Sequence, residues 1–89
     1  MPSVASKTAT PWGAADLVEE VKVRQQAGDR RFASTVQLLE TGSGERLVRF
    51  AYMTDGQARR GPVTFRARDL TRLRVQLAQH PALAEALGL

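Results

Sequence analysis

The chain has 89 residues, a formal net charge of +4 at neutral pH and no cysteine. A chain of this length folds into one small domain with a marginal core, which association with a second copy would help to stabilise. The lack of cysteine excludes disulfide bonds and thiolate metal sites. No apolar run is long enough for a signal peptide or a membrane span, so we expect a cytoplasmic protein with no membrane partner.

The charges are unevenly distributed along the chain. Residues 1–45 contain five cationic side chains and six carboxylates, whereas residues 46–89 contain eight arginines and three carboxylates. A strongly basic half is typical of a nucleic-acid-binding protein. The excess of arginine over lysine has a second explanation, because a GC-rich genome places arginine on the surface of any protein that it encodes.

The first segment has no hydrophobic period. Residues 1–11 mix small, polar and proline residues, which predicts a flexible arm, and residues 12–89 form a single α+β domain. Trp12 ends the arm. It either anchors the arm to the domain by packing or offers a surface for stacking.

Three strands are predicted within residues 14–54. Residues 14–26 alternate with period two, and although a helical stripe also fits them, the β-branched Val18, Val21 and Val23 favour a strand. Residues 31–41 and 45–54 alternate in the same way. Turns are predicted at residues 27–29, at residues 42–44 and at Asp55-Gly56.

The last part of the chain predicts a fourth strand and then a helix. Residues 62–67 alternate, with Pro62 suited to the start or the edge of a strand. A helix begins near Arg68, and Pro81 breaks it before a short second helix over residues 82–87. The fold class is therefore α+β, a four-stranded antiparallel sheet followed by a C-terminal amphipathic helix (β-β-β-β-α). Shared parity and the helical stripe predict this core: Val21, Val36, Val48, Phe50, Val63, Phe65, Leu70, Leu73 and Leu77.

The residue inventory argues against catalysis. The single histidine, His80, directly precedes a proline at the end of a helix, and the carboxylates are scattered. The glycine-rich run at residues 42–44 lies between strands and not before a helix, so it is not a phosphate-binding loop. One histidine without cysteine does not provide a transition-metal cluster. We expect no enzyme activity, no cofactor and no metal.

Binding is better supported by the pattern of cations. Strand parity places several cationic side chains on one outer face of the sheet, and further arginines lie at its turns. Phe32, Phe50 and Phe65 share parity with apolar residues and so belong to the core, which leaves Tyr52 as the aromatic candidate for contact with a base. The candidate nucleic-acid-binding residues are Lys22, Arg24, Arg49, Tyr52, Arg59, Arg60 and Arg66. The alternative is a solvated outer face, which any half-exposed antiparallel sheet has.

The segments VRFAYMTDG, RRGPVTF and DLTRLRVQL follow one another within residues 31–79. This layout resembles the positive cofactor four family of single-stranded-DNA-binding transcriptional coactivators and their Whirly-like relatives. The resemblance implies a homodimer built through the helices, with curved sheets that bind single strands non-specifically. It also implies backbone contacts by Arg49, Arg59 and Arg60, and by Arg66 through proximity. The short basic turn, Pro62 and the scarcity of lysine depart from the family's pattern.

The leading hypothesis is a non-catalytic protein that binds single-stranded DNA or RNA, with a role related to transcription. The alternative is a protein-interaction module or accessory subunit whose basic face binds an acidic protein partner. A homodimer through the C-terminal helix is expected in either case, because apolar residues of the helical region lie off the sheet-facing stripe. These residues are Val75, Leu83, Leu87 and Leu89.

Overall fold

A computed structural model describes residues 7–61 and 63–89. These residues form an α+β fold, in which a five-stranded antiparallel sheet with strands in chain order precedes two helices. The strands are β1 (Lys7–Thr10), β2 (Gly13–Ala27), β3 (Arg30–Thr41), β4 (Arg46–Thr54) and β5 (Gln57–Arg59). A single 3₁₀ turn (Ala67–Asp69) leads into α1 (Leu70–Ala78), and α2 (Pro81–Ala86) follows.

The predicted strands at residues 14–26, 31–41 and 45–54 are confirmed as β2, β3 and β4, and the helical alternative for residues 14–26 is wrong. The turn at Asp55-Gly56 is also confirmed. Asp55 has φ 52° and Gly56 has φ 76°, the two positive values of the tight turn that joins twisted antiparallel strands. The break at Pro81 separates α1 from α2, as predicted.

The predicted count of four strands is wrong, because the described residues form five. The strand that follows β4 and pairs with its outer edge is β5, since the two-residue turn reverses the chain and pairs Tyr52 with Arg59. Residues 63–66 are not a strand. They cross the face of the sheet, where the Thr64 carbonyl accepts hydrogen bonds from Gln25 Nε2 (2.9 Å) and Ser34 Oγ (3.2 Å). Pro62 lies outside the described residues.

The extra strand at the start comes from the segment predicted as a flexible arm. Residues 7–10 form β1 and pair with residues 13–16 of β2, while residues 1–6 lie outside the described part of the chain. The hydroxyl of Thr10 donates to the carbonyl of Gly13 at 2.6 Å across the connecting turn. Trp12 in this turn is 66% exposed, so it does not anchor the segment by burial.

The sheet curls, and β3 is buried on both of its faces. Every residue from Ser34 to Leu39 is buried. Val18 has no partner in β3, and this irregularity places Leu17 and Val21 on opposite faces. On the concave face, Arg49 Nη1 of β4 reaches the carbonyl of Ala9 in β1 at 3.4 Å, although two strands separate them in the sheet. The face opposite the concave face, which the helices cover, is called the helix face below.

The main core lies between the helix face and the two helices. It consists of Val21, Val36, Leu38, Leu77 and Leu83, with Val48, Leu73, Ala82 and Leu87 packed against it. The predicted core is therefore confirmed for Val21, Val36 and Leu77. It is wrong for Phe50 and Leu70, which are 51% and 44% exposed, because the fully buried Leu83 of α2 takes the central position. Val63 and Phe65 are half-buried.

Helix α1 covers the edge of β2 that β1 leaves open. The Lys22 N–H donates to Gln76 Oε1 at 3.3 Å, and Gln76 Nε2 donates to the Lys22 carbonyl at 2.6 Å. The Gln76 amide thus takes the place of a neighbouring strand at Lys22. Arg72 Nη1 donates to the Arg24 carbonyl at 3.2 Å. These bonds satisfy edge groups that would otherwise be open to pairing with another chain.

Among the described residues, neither helix has the length and apolar character needed to cross a membrane.

We expect Leu83→Ala to lower the free energy of unfolding by about 2–5 kcal/mol, because it leaves a cavity where α2 meets the sheet. Trp12→Ala is the control, since Trp12 is 66% exposed and lies in the β1–β2 turn, outside the helical region, and it should change stability by less than about 0.5 kcal/mol. Urea denaturation followed by circular dichroism measures both values. Equal effects of the two substitutions would contradict the packing of α2 described above.

Candidate nucleic-acid interface

One end of the sheet carries most of the unbalanced positive charge. In an antiparallel meander, the β2–β3 turn and the β4–β5 turn lie at the same end, so residues 22–31 and residues 53–66 meet there. These two segments contain seven cationic side chains and only two carboxylates, Asp29 and Asp55. The cationic end is defined by Lys22, Arg24, Arg30, Arg31, Arg59, Arg60 and Arg66. With a net charge of +4 for the whole chain, the remaining residues are close to neutral.

An open groove of about 600 Å³ lies at the cationic end. The register sets Arg24, Ala33 and Met53 side by side across three strands, and the small side chain of Ala33 leaves a depression between its larger neighbours. The cationic groove, as we call it, has four cationic lining residues and one carboxylate. They are Lys22, Arg24, Arg31, Arg66 and Asp55, and Phe32, Ala33 and Met53 add apolar surface.

The cations of the groove differ in how firmly they are held. Lys22 Nζ lies 3.7 Å from Glu20 Oε1, and Arg66 Nε donates to Asp69 Oδ2 at 2.8 Å. Arg24 and Arg31 are exposed and form no ion pair with a described residue. An anion that enters the groove can therefore bind these two guanidinium groups without breaking an ion pair with a carboxylate of the described residues.

Asp69 holds the side chain of Arg66 at the rim of the groove. Its carboxylate is buried at the start of α1, and it also accepts a hydrogen bond from Arg72 Nη1 at 3.3 Å. The hydrogen bond from Arg66, above all, holds the pKa of Asp69 below its ordinary value, against the opposing effect of burial, and Arg72 adds to this. Arg72 in turn donates to the Arg24 carbonyl, so one carboxylate links the rim, the helix and the edge of β2.

A second cavity of about 350 Å³ lies on the helix face at the same end. Phe32 and Tyr52 line it with their rings edge to face, 6.5 Å apart between centroids and at an interplanar angle of 84°. Tyr52 Oη donates to the Arg60 carbonyl at 2.8 Å. The aromatic pocket, as we call it, is lined by Ala27, Arg30, Phe32, Tyr52, Arg60, Gly61 and Thr64. Gly61 has φ 127°, a conformation that favours glycine where the chain passes the Tyr52 ring.

The structure brings five of the seven predicted site residues to these two cavities. Lys22, Arg24 and Arg66 line the cationic groove. Tyr52 and Arg60 line the aromatic pocket.

The other two predicted residues are engaged elsewhere. Arg59 lies at the cationic end, but its guanidinium donates to the side chain and the carbonyl of Thr54. Arg49 is half-buried on the concave face, where its Nε donates to Gln37 Oε1 at 2.8 Å. Gln37 Nε2 donates in turn to Glu20 Oε2 at 2.6 Å, so Arg49, Gln37 and Glu20 form a chain of hydrogen bonds. The Arg49 guanidinium does not line either cavity.

Two cations and one aromatic residue of the site, Arg30, Arg31 and Phe32, were not among the candidate binding residues. Arg30 and Arg31 follow the β2–β3 turn. The register of this hairpin places Arg31 opposite Gln26. This register is the signal that could have grouped the two arginines with Arg24. Phe32 has an apolar parity and was interpreted as core. It is only half-buried, and it lines both cavities.

Within residues 7–61 and 63–89, no three side chains of the metal-ligating types come together. The chain matches no protein-family model, no curated protein and no solved structure. The resemblance to the positive cofactor four family accordingly stays a prediction.

We expect Asp69→Asn to destabilise the protein at neutral pH, and the difference from the wild type to shrink in acid. The pKa of Asp69 is lowered by folding, so its contribution is present above the ordinary value of 3.8 and is lost as the pH falls through the folded pKa. Urea midpoints measured between about pH 7 and about pH 2 give this difference. Asp29→Asn is the control, because Asp29 is exposed. A constant difference across the range would contradict the role of Asp69.

Proposed function

We propose that this protein binds single-stranded nucleic acid through its cationic end, without catalysis and with little sequence preference. The observation that carries the proposal is the convergence of seven cations from two separate segments at one end of the sheet, where four of them line an open groove. Phosphate contacts by arginine and lysine supply affinity that does not depend on sequence. Arg24 and Arg31 are the strongest candidates for these contacts, because their guanidinium groups are exposed and form no ion pair with a described residue.

The dimensions and the apolar lining of the groove favour a single strand. The floor of the groove spans three strands, from β2 to β4, which gives it a width of roughly 10 Å at the usual spacing of neighbouring strands. Phe32 and Met53 offer apolar surface beside the cations, and bases can contact such surface only when they are unstacked from a duplex. An acidic protein partner would use the same cations, but it has no need of this apolar lining.

We also propose that the protein forms a homodimer through its helical region. Leu83 is fully buried within one protomer and does not belong to the surface that would form the contact. Exposed apolar side chains remain at Leu70, Val75 and Leu89, which are 44%, 58% and 79% exposed. A two-fold contact would cover these side chains and add burial to a domain with a small core.

For the dimer, we expect sedimentation at tens of micromolar to give twice the mass of the chain. Val75→Ser should weaken association at least about tenfold, because the two-fold axis makes the lost apolar contact count twice. Val18→Ser is the matched control, since Val18 is 42% exposed but lies on β2. A wild-type protein that sediments as a monomer would refute the dimer without bearing on nucleic-acid binding.

For binding, we expect affinity for a labelled oligonucleotide to fall steeply between about 50 mM and about 200 mM salt, because each neutralised phosphate releases counterions. The double variant Arg24→Ala/Arg31→Ala should weaken binding to all sequences alike. It should also make the slope of log affinity against log salt shallower by about 1.4, because each phosphate contact to a single strand contributes about 0.7 and the variant removes two contacts. Fluorescence anisotropy measures both quantities.

The matched control is Arg46→Ala/Arg74→Ala. It removes the same charge from exposed arginines at the start of β4 and on α1, neither of which lines the cationic groove or the aromatic pocket. Equal losses in the two double variants would mean that net charge alone drives binding. If polyglutamate binds and oligonucleotides do not, the partner is an acidic protein.

A further inference from the structure

We infer that the aromatic pocket holds one base of a bound single strand, and that the strand's phosphates continue from the pocket into the cationic groove. This inference rests on the proposed function and adds a defined subsite to it. The ligand is a nucleobase that carries a phosphate. The recognition comes from ring stacking and guanidinium contacts and not from base-specific hydrogen bonds.

The geometry of the two rings suits a flat ligand. Phe32 and Tyr52 stand nearly perpendicular, so they form a corner in the wall of the pocket. A base that stacks on one ring meets the other ring edge to face, and both arrangements are favourable for aromatic systems. The volume of about 350 Å³ is at the small end for a ligand site. It suits a base better than a larger cofactor.

The polar lining supplies the charge that a nucleotide needs. Arg30 and Arg60 line the pocket, and neither forms an ion pair with a described residue. The Arg60 carbonyl is tied to Tyr52 Oη at 2.8 Å, which fixes the backbone of Arg60 beside the ring. A phosphate next to the stacked base would therefore lie within the reach of two cations.

Phe32 connects the pocket to the groove. It is half-buried at the start of β3 and lines both cavities, and it lies next to Arg31 of the groove in the chain. A strand can thus place one base in the pocket and pass around the end of the sheet, with its next phosphates on Arg31 and Arg24. This path uses the exposed guanidinium groups of both cavities.

The test compares two labelled strands of about 12 units, a length within the site sizes of small single-strand-binding domains. One is oligothymidine, and the other has the same phosphates on abasic sugars. For the wild type, oligothymidine should bind at least about 5-fold more tightly, since stacking of a single base provides about 5- to 150-fold. In Tyr52→Leu this preference should shrink by at least about 5-fold, the share of the base in the pocket, while affinity for the abasic strand is retained. Tyr52→Phe, which keeps the ring, should keep the preference.

The abasic strand also reports on folding, because it needs only the cations. If Tyr52→Leu does not fold, Ala27→Leu serves in its place, since it fills the pocket from the β2 side and should reduce the preference in the same way. Equal wild-type affinity for the two strands would overturn the base subsite and leave the proposed function intact. Failure of both strands to bind would overturn the proposed function itself. If thymidine monophosphate binds as tightly as oligothymidine, the pocket is a site for a free nucleotide, and the inference that its base belongs to a bound strand is wrong.

Discussion

The outer edge of β2 is the constraint on which the rest of the structure depends. β2 has 15 residues, but β1 pairs with only its first four, so the remainder of a long strand would expose its backbone hydrogen-bonding groups. Helix α1 lies along this edge, and Gln76 and Arg72 bond to the Lys22 and Arg24 backbone. Covering the edge also fixes where α1 begins, and therefore where Asp69 and Arg66 lie.

The cationic end follows from this arrangement and from the order of the strands. A meander alternates its turns between two ends, so the basic residues after the β2–β3 turn join those after the β4–β5 turn. Charge counted along the chain assigns residues 1–45 a slight excess of carboxylates. In space, Lys22, Arg24, Arg30 and Arg31 from that half lie with the arginines of the second half. Asp69 adds Arg66 to the rim of the groove by a hydrogen bond.

The curl of the sheet explains why the roles of the arginines and aromatic residues diverge. Because the concave face closes on β1, Arg49 donates hydrogen bonds to Gln37 and to the Ala9 carbonyl, whereas Arg24 is exposed and forms no ion pair with a described residue. Likewise, the crossing segment at residues 63–66 and helix α2 cover only part of the helix face. Phe50 is left exposed, and Phe32 and Tyr52 line a pocket instead of filling the core.

Much of the fold can be predicted from the sequence because it depends on local patterns. The alternation in β2, β3 and β4, the turn at Asp55-Gly56, and the helices on either side of Pro81 are properties of short segments. The irregular path of residues 63–66 and the curl of the sheet are not. They depend on hydrogen bonds between residues far apart in sequence, such as Gln25 to Thr64 and Arg49 to Ala9. The sequence by itself determined which residue types could bind a polyanion. Only the tertiary structure decided which of them share a surface, because strand order and curl, which local periodicity does not encode, set the distances between them.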